Sequence, residues 1–226
     1  MARFRVSSDN LRRIVLIALF GAISYVLMLV VHLPVSFLTM DVKDVIITLG
    51  GLYFGPSAAL VLSCLVPLLE LVTVSSTGLY GLVMNILGTA MFSVTASVIY
   101  KYKKSFFGAI IGLVSGVVAM VATMMVFNLL VTPHYMGVTV EAVQGLIPTL
   151  LLPFNLVKGV LNAALVLLFY KPLSGVMQRA GILPRSTHPF RMDLRTVIVM
   201  AVALVLVIAS LIVVFTVLKG SFVFGF

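Results

Sequence analysis

Charge is what this sequence has least of. Only 9% of its 226 residues are charged and six are acidic, where a soluble domain carries about 25% charged residues. A water-soluble globular fold is thereby excluded, and the 62% of hydrophobic residues supplies the alternative. A membrane-crossing helix needs about 20 mostly apolar residues, so this length holds roughly six to eight spans and no separate soluble domain. Tryptophan is absent and cysteine occurs once, as Cys64. A lone cysteine cannot form an internal disulfide, and in an apolar run it reads as a small buried hydrophobe. Catalytic signatures are missing too. No Gly-x4-Gly-Lys-Ser/Thr phosphate loop, His-Glu-x-x-His or Gly-x-Ser-x-Gly occurs, so the chain has no usual means of hydrolysing a nucleotide and no recognisable nucleophile or metal set. His32, His134 and His188 fall at helix ends or in loops without a second ligand at helical spacing, so neither catalytic nor metal residues are assigned.

The net charge of +9 would suggest nucleic acid in a polar chain. In one this apolar it points instead to basic loops on the cytoplasmic side of a membrane. Arg3, Arg5, Arg12 and Arg13 precede a first apolar run, Ile14 to His32, which is too long for a signal peptide and lacks a cleavage site. A polar loop with Thr39, Asp41, Lys43 and Asp44 follows. Val45 to Phe54 is a short second stretch stopped by Gly55-Pro56, too short to span and expected to borrow from the loop or dip into a protein-lined cavity. Further helices are expected over Ser57 to Val72, Leu79 to Tyr100, Phe106 to Val131 and Pro153 to Tyr170, and Thr196 to Leu218 is long enough to span again. No inverted repeat of the kind common in secondary transporters is visible.

With the N-terminus inside, the first arginines, the Lys101 to Lys104 cluster and the linker bases Lys171, Arg179, Arg185, Arg191 and Arg195 share one side. They amount to twelve of the fifteen basic residues, which predicts a multi-pass cell-membrane protein with a cytoplasmic N-terminus and an external C-terminus. The fold expected is an all-α integral membrane protein in three parts: a six-helix domain over 1–171, a basic cytoplasmic linker over 172–195 and an additional transmembrane helix with a short tail over 196–226.

Within this apolar background two polar and small-residue patterns stand out. Asn155, Lys158 and Asn162 stand at i, i+3 and i+7, on one face of the sixth helix. A lysine inside a membrane helix is costly and normally faces the bundle interior or a wet cavity. Asn128 on the fifth helix can converge on the same space. Carboxamides donate and accept, which suits the edge of a planar heterocycle, and Phe37, Phe127, Tyr135 and Phe154 could cover its faces. Asp41, Asp44, Glu70 and Glu141 fall at helix ends and are expected to be solvated. Small residues form the second pattern. Gly108, Gly112 and Gly116 on the fifth helix, and Ala18 and Ala22 on the first, flatten faces on which another helix can pack closely.

Several stretches resemble the substrate-binding S components of energy-coupling factor (ECF) transporters, and within them the riboflavin type. They are Asp44 to Pro56, reading DVIITLGGLYFGP, Met84-Asn85, Pro153 to Gly159, reading PFNLVKG, and Leu167 to Lys171, all within the six-helix portion from about Arg12 to Lys171. The resemblance implies a vitamin pocket lined by Asn128, Asn155 and Lys158, with riboflavin as transported ligand and no cofactor. It also implies that Ala18 and Ala22 dock onto a transmembrane coupling subunit, which works with two ATPase subunits in the lipid bilayer. The third helix departs from the riboflavin type, with Glu70 in the run LVPLLE where a Lys-Asn pair is common, and the seventh span is an addition. Two other readings stand beside a riboflavin-capturing subunit: the same architecture serving another small planar metabolite, and an intramembrane enzyme.

Overall fold

The computed structural model describes residues 8–183 and 194–220. Helix α1 (Ser8–Val30) leads into a two-stranded antiparallel hairpin, β1 (His32–Val35) and β2 (Leu38–Asp41). Then come α2 (Lys43–Phe54), α3 (Pro56–Thr73), α4 (Gly78–Tyr102), α5 (Phe106–Met136), the short α6 (Val140–Leu146), a π-helical turn over Ile147–Leu151, α7 (Leu152–Arg179) and α8 (Leu194–Thr216). Among the described residues six helical stretches are long and apolar enough to cross a membrane. Helix α2 is the exception. At 12 residues it is about 18 Å long, well short of a hydrocarbon core of about 30 Å.

That short helix is the centre of the bundle. Val45, Ile47, Leu49 and Leu52 are buried and pack with Phe20 of α1, Leu62 and Val66 of α3 and Phe92 of α4. The chain stops it at Gly55, whose φ of +97° is open to glycine and costly for other residues, and Pro56 starts α3 where its missing N–H costs nothing. The expected break at Gly55-Pro56 is therefore found, and of the two expectations for this segment the first holds: the helix borrows Lys43 and Asp44 from the preceding loop and is buried along its length.

Helices α4 and α5 approach most closely where the glycines lie. A Cβ on Gly112 would sit 2.6 Å from the Ala96 carbonyl oxygen, and one on Gly116 2.6 Å from that of Phe92. The small-residue spacing read from the sequence is thus a helix–helix contact internal to the chain. Ala18 and Ala22 differ. They are exposed on α1, along a stripe with Ile14, Val15, Leu19 and Val26, while Phe20, Ser24 and Met28 face inward.

Three boundaries move from their sequence expectation. The fifth helix does not end at Val131 but runs through Pro133 to Met136, closed by Gly137 in the left-handed region. The last helix of the six does not end at Tyr170 but continues through Pro172 to Arg179, so the first part of the expected linker is helical. The region around Glu141 and Gln144 is a helix joined to α7 by the π-turn containing Pro148, where a proline without an N–H loosens the ladder. Cys64, expected to be buried, is half-buried. Arg3, Arg5, Arg185, His188 and Arg191 lie outside the described residues.

The loops alternate between two ends of the bundle. One end carries Arg12, Arg13, Lys101, Lys103, Lys104 and Arg179, with Arg12 donating to the Gly181 carbonyl and Arg13 to that of Phe54. The other carries the hairpin. Its Leu33, Val35 and Met40 pack against Phe154 and Leu161 of α7, and against Val214 and Leu218 at the end of α8. The additional helix therefore flanks α7 and props the hairpin from behind.

Candidate functional site

A half-open cavity lies at the hairpin end, enclosed by the hairpin, the 74–77 loop and α3, α4, α5 and α7. The hairpin turns at Ser36-Phe37, with Ser36 at φ +56°, as a two-residue loop requires at its first position. Alternation along the strands then does the sorting. Leu33, Val35 and Met40 point to α7 and α8, while His32, Phe37 and Thr39 are on the cavity wall.

Of the residues singled out in the sequence, Asn128, Asn155, Lys158, Phe37 and Tyr135 all line this cavity. Asn128, 1% exposed, donates to the Met124 carbonyl at 2.7 Å and accepts from the Thr132 hydroxyl at 2.8 Å. Asn155 donates to the Leu151 carbonyl at 2.8 Å, at the end of the π-turn that precedes α7. That leaves its amide oxygen without a partner among the described residues. Phe154 lines the wall as well, and Tyr135 packs with Tyr80, ring centroids 6.0 Å apart. Phe127 is not part of the lining. Neither is Asn162, which lies one turn deeper and donates to the Asp41 backbone carbonyl at 3.4 Å and the Lys158 carbonyl at 3.1 Å. Its face is shared with Lys158 as expected, but it ties α7 to the end of β2 instead of reaching the cavity.

The acidic residues overturn the solvated reading. Of the four acids singled out, Asp41 and Asp44 are buried and Glu70 nearly so, and Glu141 is exposed. Asp41 Oδ2 accepts from Lys158 Nζ at 2.9 Å and lies 3.3 Å from Lys43 Nζ. Lys43 reaches on to Glu70 Oε2 at 2.7 Å, and Glu70 Oε1 accepts from Asn85 Nδ2 at 3.1 Å. Asp44 Oδ1 accepts from the Thr89 hydroxyl at 2.6 Å. Taking an ion out of water costs several kcal/mol, offset here by close pairing and hydrogen bonds. Burial alone would raise the Asp41 carboxyl, but the Lys158 and Lys43 charges outweigh it and hold it at about 2.

This network explains how a lysine sits inside the bundle. Lys158 does not snorkel to water. It meets Asp41, which the hairpin delivers from 117 residues earlier in the chain. The pairing had a sequence signal: a lysine at membrane depth needs a counter-ion, and Asp41-x-Lys43-Asp44 puts two of the chain's six acids within four residues. Sequence distance hid it.

Comparison with known proteins agrees with this architecture. Residues 12–170 match the family model of the ECF transporter, substrate-specific component. The chain is 27% identical over 187 residues to the riboflavin transporter RibU of Staphylococcus aureus (strain TCH60), covering 78% of this chain and 98% of the relative. It is 26% identical over 193 residues to the riboflavin transporter FmnP of Bacillus subtilis (strain 168), covering 79% and 98%. A solved structure, "Structure and mechanism of the S component of a bacterial ECF transporter", superposes with a TM-score of 0.65 at 30% identity over 75% of this chain and 99% of that one. Helix α8 lies beyond the segment matched by the family model. With the six-helix bundle, its buried charges and its end-on cavity in view, the chain belongs to the ECF transporter S components: a multi-pass membrane protein that binds a small substrate for import by ECF coupling and ATPase subunits, and not an enzyme.

Proposed function

We propose that this S component captures riboflavin in the hairpin-end cavity and presents it for ATP-driven uptake. The observation that carries the reading is convergence. Asn128 from α5 and Asn155 and Lys158 from α7 meet on one wall, with Phe37, Phe154 and Tyr135 around them. A flavin ring offers alternating donors and acceptors along one edge and apolar faces on either side, which amides, an ammonium group and aromatic rings complement. The two riboflavin transporters among its relatives support the same ligand. Flavins are coloured, so the test is the absorption spectrum of protein purified in detergent from riboflavin-fed cells. Flavin bands that persist through purification are the expected result; colourless protein that also fails to take up added riboflavin contradicts the reading.

The cavity opens outward and the N-terminus is cytoplasmic. Supporting this are the seven exposed or half-exposed basic residues at the opposite end, Arg12, Arg13, Lys101, Lys103, Lys104, Lys171 and Arg179, since such residues accumulate in cytoplasmic loops. In a background lacking Cys64, an impermeant thiol reagent on intact cells should label Ser76→Cys and spare Lys104→Cys; the reverse pattern inverts the topology. The exposed Ala18 and Ala22 face serves as the docking surface for the coupling subunit, because its flat small-residue profile lets a partner helix approach. Ala18→Leu with Ala22→Leu should abolish uptake while purified protein still binds ligand. Surviving uptake removes that assignment.

A further inference from the structure

Two carboxylates also line the cavity: Glu70, on the last turn of α3, and Asp44, at the start of α2. Each carboxylate has a polar partner, but every oxygen retains acceptor capacity beyond the single bond it makes. The positive charges are already committed: Lys158 to Asp41, and Lys43 to Asp41 and Glu70. Three carboxylates stand against two ammonium groups. With all five ionised the cluster sums to −1, and with a proton on Asp44 it is neutral; in neither state does it offer an uncommitted cation. Beside Glu70, the 74–77 loop adds the hydroxyls of Ser75, Ser76 and Thr77 to the same side.

Resting on the riboflavin reading above, we infer that Glu70 is a specificity-determining residue: the α3–α4 wall takes the ligand's neutral polyol chain and rejects its phosphate ester. Hydroxyls donate to carboxylate oxygens. A phosphate monoester carries close to two negative units near neutral pH, and its oxygens accept where a carboxylate needs a donor, so beside Glu70 it meets like charge. A unit of like charge at this range, partly screened, changes affinity by roughly tenfold. His32, at the cavity mouth, is the other side chain of the lining able to carry positive charge, and a His32→Gln background removes its contribution.

The test titrates purified protein with riboflavin and with flavin mononucleotide, in the wild type, His32→Gln, and Glu70→Gln in both backgrounds. Glutamine removes the charge and keeps one of the two acceptors, so its carbonyl can serve Asn85 or Lys43 but not both. The wild type should prefer riboflavin by about tenfold or more, and Glu70→Gln should narrow that preference by about tenfold in either background. If Glu70→Gln does not fold, Ser76→Lys, which adds a cation to the loop beside Glu70 in the cavity lining, must shift the ratio in the same direction. A ratio unmoved by the variant, with riboflavin still bound, overturns the charge selectivity and leaves the riboflavin reading standing. Failure of both flavins to bind wild-type protein removes the ligand reading, and the selectivity with it.

Discussion

At the hairpin end the bundle buries Asp41, Lys43, Asp44 and Lys158 beneath an open cavity; at the opposite end it closes on three tyrosines. There Tyr53 donates to the Tyr170 carbonyl at 2.7 Å, the Tyr100 and Tyr170 hydroxyls lie 2.6 Å apart, and Tyr170 stacks between Tyr53 and Phe106 with centroid separations of 6.0 and 6.1 Å. Both ends join α2, α4 and α7. One does so with neutral hydroxyls and ring contacts, each contributing about 1 kcal/mol, and the other with ions that are costly to bury and costlier to leave alone. A polar cluster maintained at such cost, around a space large enough to admit a ligand, is where binding is expected. The tyrosines at the other end are satisfied by their own hydroxyl and ring contacts and carry no buried charge.

Breaking the ion network should produce the largest effect. Lys43, fully buried, holds both Asp41 and Glu70, so Lys43→Met should destabilise the protein by about 3–5 kcal/mol. Thermal unfolding in detergent reads this as a large fall in Tm. Lys158→Met should also destabilise, and adding Asp41→Asn should recover much of that loss, because the pair is then neutral on both sides, while ligand binding stays impaired. A double variant as unstable as the single one would show that Asp41 and Lys158 are not energetically coupled.

Next in size is the pH dependence of the same group. The folded Asp41 carboxyl titrates at about 2, below the unfolded value of about 3.9. Its contribution, about 2 kcal/mol, should be fully present above pH 4 and disappear as pH falls from 4 to 2. Asp41→Asn should flatten the stability profile in that window and nowhere above it. A smaller change is expected at the tyrosine end, where Tyr170→Phe removes only the contact with the Tyr100 hydroxyl, for about 1 kcal/mol, and should leave ligand affinity unaltered. Between the two regions stands α8. Val214→Asp would put a charge against the apolar back of the hairpin and should speed ligand release in stopped-flow measurements more than it lowers Tm.

What the sequence disclosed follows from which interactions are local. The existence of the spans, the Gly55-Pro56 break, the α5 glycines and the Asn155–Lys158 face are set by spacing along one helix, and each agrees with the structure apart from the C-terminal ends of α5 and α7. The hairpin was hidden because His32 to Asp41 carries only two short strands and a proline, which reads as a loop. The continuation of α7 past Lys171-Pro172 was hidden because lysine followed by proline is an ordinary stop signal, whereas here Lys171 lies 4.7 Å over the Phe106 ring and also contacts Thr196. The acids were misread as solvated for a related reason. Helix-end position says where a residue is along the chain, and only the folded hairpin says what covers it.

The central claim is that Asn128, Asn155 and Lys158 form the edge of one riboflavin site, and riboflavin's own fluorescence tests it directly. Titrating wild-type protein and the Asn128→Ala and Asn155→Ala variants by fluorescence quenching should give saturable binding in the wild type. Each variant should lose about 1–3 kcal/mol for an unmatched polar group, a roughly 5- to 140-fold weakening at 1.4 kcal/mol per tenfold. Equal affinity in all three proteins would contradict this placement of the site, and no quenching in the wild type would contradict the ligand.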